Sequence, residues 1–183
     1  EEASTRQAFL GLGAYANRLS AVDPDRSESL LSFLLSSEHR HDAPAGRLMF
    51  LDGLGNTGAR RCLDAVLRCA TDGDEEVRVH ALMALRLIPD PGVEARLSEA
   101  LLGDPSVQVR IAAARSLSFR ATPEGREALR GAASHPDAEV RECVLETLAS
   151  ALPDDAEARH VVELMSTQDP SADLRAAALD LLR

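Results

Sequence analysis

The chain contains no lysine and no tryptophan, and only one tyrosine and four phenylalanines occur among its 183 residues. A sequence with so few aromatic side chains is more compatible with thin layers of helices packed on helices than with the thicker core of a β-sandwich. No stretch approaches the roughly 18 consecutive apolar residues that a membrane-spanning helix requires. The composition therefore favours a helical protein, and it predicts no membrane span.

Positive charge is also scarce. All 20 basic residues are arginine, and the chain also contains 30 acidic residues, which gives a net charge of −10. Nucleic-acid binding depends largely on clustered lysine and arginine, and this sequence has no run of basic residues. We therefore predict that nucleic acid is not a partner.

The three cysteines, Cys62, Cys69 and Cys143, are an odd number without the spacing of a disulfide framework. Cys62 and Cys69 lie seven residues apart on a predicted helix, so about 10 Å of axial rise separates them. That distance is too long for a disulfide. We interpret all three as buried free thiols, which favours a reducing, cytoplasmic compartment.

A degenerate motif recurs along the chain and is clearest in residues 104–117. It is anchored by a valine or leucine followed by arginine, at Arg78, Arg110, Arg141 and Arg175, which are 32, 31 and 34 residues apart. Periods of this length are typical of stacked helical units. Apolar residues at −1, +3, +4 and +7 from each arginine form one stripe of a helix.

Weaker copies of the motif occur at Arg47 and Arg6. The copy at Arg6 has Gly13 at +7, where the other copies predict leucine. An aspartate stands six residues before three of the four clear arginines, at Asp72, Asp104 and Asp169. In the remaining copy this position is His135.

Turn and cap residues divide the chain into eleven predicted helices. In the turn Gly55-Asn56-Thr57-Gly58, we expect Gly55 or Asn56 to adopt the left-handed conformation and Thr57 to cap the next helix. The predicted helices are 3–18, one opening at Asp23-Pro24-Asp25, 44–54, 58–70, 75–87, 92–102, 106–118, 123–133, 138–150, 155–166 and 172–182.

The aspartate–proline pair, the six-residue offset to arginine and the alanine–leucine stripe together resemble the HEAT repeat, in its short, bilin-lyase-type form. The resemblance covers residues 42–183 well and residues 1–41 poorly. It implies an all-α fold: a single right-handed α-solenoid of antiparallel helix pairs, with about five and a half repeats. The implied repeats are about 1–41, 42–72, 73–103, 104–135, 136–168 and an incomplete 169–183.

In HEAT proteins the aspartates and arginines commonly link adjacent repeats in a ladder. By resemblance, we expect this structural ladder to be interrupted once, at His135. Its expected members are Asp72, Arg78, Asp104, Arg110, Arg141, Asp169 and Arg175.

HEAT proteins mostly act as scaffolds, so the resemblance implies a protein-interaction module. The second (B) helix of each pair tends to line the concave face where partners bind. The polar residues of the B helices in this chain include both acidic residues and arginines, and an arginine can donate two hydrogen bonds to one carboxylate. A solvent-exposed helix face with ion pairs between residues i and i+4 would have the same pattern. The candidate partner-binding residues are Arg61, Arg68, Arg96, Arg126, Arg130 and Arg159.

Enzymatic roles of this scaffold receive little support from the residues. HEAT-like di-iron hydroxylases carry His-Glu dipeptides, and this chain has none. No nucleophile has a general base at a diagnostic spacing. The loop pair His39 and His41 could ligate zinc, but loop histidines among charges are more often solvated. We predict no catalytic, metal or cofactor site, and keep a subunit of a bilin-lyase-like enzyme as the alternative function.

A weaker resemblance covers residues 6–88. The segment 51–58 is similar to the helical domain of vitellogenin-type large lipid-transfer proteins, which implies a lipid-carrier domain as a second alternative.

Because the chain begins without methionine and stops inside a helical pattern, we expect it to be part of a longer protein. The final helix, with Leu174, Leu179 and Leu182 in its stripe, would then be uncapped and could mediate self-association.

Overall fold

Short polar side chains begin many of the helices of this protein. Asp74, Asp137 and Asp155 each accept hydrogen bonds from backbone N–H groups in the first turn of the helix that follows. Thr122 and Ser171 do the same for their helices. These caps satisfy backbone donors that have no partner within the helix.

The computed structural model describes residues 2–37, 43–120, 122–152 and 154–183. This described part contains eleven α-helices and no β-strand, which confirms the prediction of an all-α fold. The odd-numbered helices are the first (A) helices of the pairs and the even-numbered ones are the B helices. They are α1 (Glu2–Leu19), α2 (Pro24–Ser36), α3 (Pro44–Thr57), α4 (Leu63–Cys69), α5 (Glu75–Leu85), α6 (Gly92–Gly103), α7 (Val107–Arg120), α8 (Pro123–Ala132), α9 (Ala138–Ala149), α10 (Ala156–Gln168) and α11 (Ala172–Leu181).

The chain forms two compact units, Glu1–Val93 and Glu94–Arg183. In the first unit, α1 packs against α2 and α3, and α3 packs against α5. In the second unit, α7 packs against α8 and α9, and α9 packs against α10 and α11. Within each unit, every A helix therefore contacts both a B helix and a neighbouring A helix. None of the described helices is long and apolar enough to span a membrane.

The apolar stripe of the repeat motif forms the core of each unit. At +3, +4 and +7 from Arg78, Ala81, Leu82 and Leu85 are fully buried. The equivalent positions of α7 and α9 are at most 2% exposed: Ala113, Ala114 and Leu117, then Val144, Leu145 and Leu148. The helical periodicity thus identifies the buried face of these A helices.

The turn after α3 differs from the prediction. The helix continues through Gly55 and Asn56 to Thr57, and Gly58 adopts the left-handed conformation instead (φ 62°, ψ 11°). The Thr57 hydroxyl donates to the Leu54 carbonyl at 2.7 Å and accepts from the Ala59 N–H at 3.1 Å. Its side chain therefore stabilises the end of α3 and its turn, and it does not cap the next helix. A 3-10 turn, Arg60–Cys62, leads into α4.

Glycines inside helices permit close approach between A helices in the first unit. A Cβ atom at Gly13 would lie 2.0 Å from the Gly53 carbonyl oxygen. A Cβ atom at Gly55 would lie 2.8 Å from the Ala84 Cα. A leucine at position 13, as the repeat pattern predicts, would collide with the backbone of α3.

Candidate functional site

The loops that precede the A helices share one local geometry. Asp72, Asp104 and Asp169 each accept, through Oδ1, a hydrogen bond from the backbone N–H two residues later, at 2.9, 2.9 and 2.8 Å. In the copy that departs from the pattern, His135 Nδ1 accepts the equivalent hydrogen bond from Asp137 at 3.0 Å. The ring nitrogen thus replaces the carboxylate oxygen locally. An accepting Nδ1 also requires the proton of the neutral imidazole to be on Nε2.

Each motif arginine binds the backbone of the loop that immediately precedes its own helix. The guanidiniums of Arg78, Arg110 and Arg175 donate to the carbonyl oxygens of Asp72, Asp104 and Asp169 at 2.9, 2.6 and 2.6 Å. Arg141 donates in the same way to His135 O at 2.9 Å and to Pro136 O at 3.0 Å. These bonds satisfy loop carbonyls that have left the preceding helix.

Within each unit, motif arginines also reach the loop that precedes the next A helix. In the second unit, Arg141 binds both carboxylate oxygens of Asp169, at 2.8 and 3.1 Å. Arg110 has no aspartate at position 135 to bind, and it instead approaches Asp137 at 3.9 Å. In the first unit, Arg47 lies 3.5 Å from Asp72.

The Arg141–Asp169 pair is the most buried of these contacts, with side-chain exposures of 6% and 1%. The hydrogen bonds from Arg141 lower the pKa of Asp169 below its usual value despite burial, and a backbone bond from Ser171 adds to this effect. In turn, Asp169 raises the pKa of Arg141. Both groups are therefore held in their charged forms.

A second type of inter-repeat ion pair links the start of a B helix to the next A–B turn. Arg60 binds Asp90 at 2.8 Å, and Arg126 lies 3.6 Å from Asp155. The partners are 30 and 29 residues apart (60 to 90 and 126 to 155), which is about one repeat. Sequence reasoning missed these pairs, although an arginine one repeat before an acidic A–B turn is a usable signal.

Three A helices of the first unit meet at Asp52. This carboxylate on α3 accepts from Arg6 of α1 at 2.5 Å and contacts Nδ1 of His80 of α5 at 2.8 Å. Burial opposes ionisation of Asp52, but the bonds to His80 and Arg6 outweigh it and lower the pKa of the carboxyl group. The hydrogen bonds among these three side chains therefore contribute to the contact between adjacent A helices.

Most of the predicted partner-binding arginines interact with carboxylates of the same chain. Arg61 pairs with Glu28 and donates to the Ser32 hydroxyl, and Arg96 pairs with Glu99 at 2.7 Å. Arg68 and Arg159 are exposed on their B helices. Among the described residues, no side-chain partner is found for Arg159.

Arg130 of α8 has the densest set of ionic contacts. It lies 2.7 Å from Glu127, 3.0 Å from Glu157 and 3.9 Å from Asp155. The hydrogen bond to Glu127 and the neighbouring carboxylates raise the pKa of Arg130 despite its partial burial. The structure therefore brings together Arg126 and Arg130 of the predicted set, both beside the N-terminus of α10.

Two clefts flank Arg130. The first has a volume of about 470 Å³, and its lining includes the charged side chains of Arg126, Asp154, Asp155 and Glu157. The second is about 450 Å³, and its more apolar lining includes Ala133, His135, Val161, Leu164, Met165 and Gln168. Arg130 lines both clefts, so they meet at its side chain. We call the two together the α8–α10 groove.

The three cysteines are buried and free. Burial raises the pKa of Cys62 and of Cys143, so these thiols are poor nucleophiles in the folded protein. In the part of the chain that the structure describes, no group of three histidine, cysteine or acidic side chains is placed to hold a metal ion. The predicted loop pair His39 and His41 lies outside the described residues.

The final helix buries part of its predicted stripe. Leu174 and Ala178 of α11 are buried and Leu182 is half-buried, whereas Leu179 is 47% exposed. Self-association through this helix stays a prediction.

The helices form pairs, and each pair is about one repeat long. The pairs bury an apolar stripe and share recurring aspartate–arginine contacts, which together define a helical repeat protein. A family model for HEAT repeats matches residues 27–101 and 94–183. The chain therefore belongs to the HEAT-repeat family.

Comparison with solved structures adds support for the fold alone. A crystal structure of an engineered protein is similar, with a TM-score of 0.53 and 20% sequence identity, over 100% of this chain and 90% of that one. Human deoxyhypusine hydroxylase, solved in complex with glycerol, matches with a TM-score of 0.36 and 18% identity, over 100% of this chain and 80% of that one. A TM-score this low supports no inference about activity. No curated protein matches the chain, and the resemblance of residues 6–88 to lipid-transfer proteins receives no support from these comparisons.

Proposed function

We propose that this chain is a protein-interaction module whose partner docks on the B-helix face of α8 and α10. HEAT repeats are helical scaffolds that commonly mediate protein–protein interaction, and the chain belongs to that family. The observation that carries the proposal is the α8–α10 groove, whose two clefts of about 470 and 450 Å³ meet at Arg130. Clefts of this size accommodate side chains of a partner.

The charged side chains around the groove are fixed before any partner arrives. Arg130 is held by Glu127, Glu157 and Asp155, so its rotamer is restricted in the free protein. Fixing a contact surface in advance lowers the entropic cost of association. In this proposal, Arg126 and Arg130 organise the groove, and the exposed Asp154 belongs to its rim, where charge mainly affects the rate of association. Arg159 lines neither cleft.

The experiment compares two charge-swapped variants that preserve net charge. In the first, the B-helix variant, Arg126→Glu with Asp154→Arg reverses two charges that line the groove, on the B helix α8 and just before α10. In the second, Arg115→Glu with Glu142→Arg alters exposed positions on the A helices α7 and α9. Each tagged protein is cross-linked in the cells that produce it, and the attached proteins are identified.

We expect one or more proteins to be recovered with the wild-type chain and with the A-helix variant, and to be lost or strongly reduced with the B-helix variant. Equal recovery with both variants would place the interaction on another surface. An absorbance change on adding a tetrapyrrole, together with no recovered protein, would favour the bilin-lyase-like alternative.

A further inference from the structure

The two ends of the α8–α10 groove differ in chemistry. At one end, Val161, Leu164 and Met165 of α10 provide an apolar lining. Leu164 is 40% exposed although its side chain is entirely aliphatic. An apolar side chain that entered this end would remove that surface from water, which is favourable in proportion to the area covered.

At the other end, acidic groups outnumber basic ones. Asp154, Asp155 and Glu157 line this cleft with Arg126 and Arg130. Asp155 already caps α10 by accepting from Glu157 N and Ala158 N. Asp154 is exposed, and its carboxylate has no hydrogen bond or ion pair among the described residues. This end therefore offers a carboxylate that a basic side chain could bind.

The charge of the second unit favours the same kind of partner. Residues 94–183 contain 16 acidic residues and 10 arginines, so 10 − 16 gives a net charge of −6. A basic segment is attracted to such a surface, whereas an acidic one is repelled.

The spacing of the two ends suits a helix. Glu157 marks the position of the acidic end along α10, because it lines the same cleft as Asp154. It is seven residues from Leu164, which corresponds to two turns and about 10 Å of axial rise. A partner helix repeats that spacing between residues i and i+7 on one face. On the basis of the proposed function, we infer that the α8–α10 groove binds a partner helix carrying an apolar and a basic side chain two turns apart.

The probe is a fluorescein-labelled, alanine-rich helical peptide with leucine and arginine seven positions apart. In two matched peptides, glutamate replaces the arginine or serine replaces the leucine. Binding to the chain is measured by fluorescence anisotropy at physiological salt. We expect the leucine–arginine peptide to bind at least about tenfold more tightly than either matched peptide, because each loses one anchor.

The protein variants test whether binding occurs in this groove. Leu164→Ser and Asp154→Arg change exposed positions at its two ends, and each is expected to weaken binding at least about tenfold. The controls are Leu102→Ser, at an apolar position on α6 that is 60% exposed, and Glu146→Arg, a charge reversal on the exposed side of α9. Both controls are expected to bind as the wild type does.

The inference would be overturned by equal affinity for the arginine and glutamate peptides, or by groove variants that bind like the wild type. It would also be wrong if light scattering showed a wild-type dimer that Leu164→Ser makes monomeric, because a second copy would then fill the groove. If the peptides fail but recovery of the cross-linked protein still depends on Arg126 and Asp154, the inference of a leucine–arginine helix fails and the proposed function stands.

Discussion

Arg141 binds both carboxylate oxygens of Asp169, 28 residues later in the chain, through side chains that are almost completely buried. The same guanidinium donates to the carbonyls of His135 and Pro136. One side chain therefore connects the loop before its own helix to the loop before the next A helix. Because the charges are buried together, neither partner can be removed without leaving the other without its counter-charge.

Replacement of Asp169 by alanine is expected to destabilise the protein by about 3–5 kcal/mol, since it leaves the buried Arg141 without its carboxylate. Chemical denaturation followed by circular dichroism measures this change. The control is Asp180→Ala, which removes an exposed pair with Arg183 and is expected to change stability by less than about 0.5 kcal/mol. Similar losses in both variants would show that burial does not strengthen the Arg141–Asp169 contact.

The same pair is expected to affect stability in acid. The pKa of Asp169 is lowered in the folded protein, so its stabilising contribution is fully present above the unfolded pKa, near 3.9. That contribution is lost as the pH falls below this value towards the folded pKa. The difference in unfolding free energy between wild type and Asp169→Asn should therefore be constant near neutral pH and decrease below about pH 4. A difference that stays constant down to about pH 2 would contradict this account.

His135 offers a test of the local geometry that it shares with the aspartates. An aspartate there would keep the acceptor for the Asp137 N–H and add a carboxylate for Arg110, which now only approaches Asp137 at 3.9 Å. We expect His135→Asp to stabilise the protein by about 1 kcal/mol, and His135→Ala to destabilise it by about 1–3 kcal/mol because the N–H loses its partner. Thermal denaturation should rank the melting temperatures Asp, His, Ala from highest to lowest. If the aspartate variant melts below the alanine variant, repulsion from Asp137 dominates.

Two glycines in the same helix give opposite predictions. A Cβ atom at Gly13 would lie 2.0 Å from the Gly53 carbonyl oxygen, whereas a Cβ atom at Gly11 meets nothing within 4 Å. Gly11→Ala should therefore stabilise the chain by up to about 1 kcal/mol through helix propensity. Gly13→Ala should destabilise it by about 1–3 kcal/mol, because α1 and α3 must move apart. Equal shifts in the denaturation midpoint would mean that α1 does not pack closely on α3 in solution.

The helices and the buried stripe could be predicted from the sequence because their determinants are local. The period of Leu82, Leu85, Leu117 and Leu148 relative to the arginines identifies the buried face. Pro123 after Thr122, and Asp155 before α10, mark helix starts within one turn of the chain. Family membership depends on the same local pattern.

The tertiary structure decided the features that depend on distances between repeats. The sequence left Gly13 unexplained and assigned the wrong residues to the turn after α3, because only the packed helices show that Gly13 and Gly55 lie against neighbouring backbone. It selected Arg126 and Arg130 as partner-binding residues, but the carboxylates that hold them, Asp155 and Glu157, come from the next repeat. Periodicity determines which face of a helix is buried, whereas the pairing of charges across repeats depends on the spacing and rotation between helices, which no local pattern encodes.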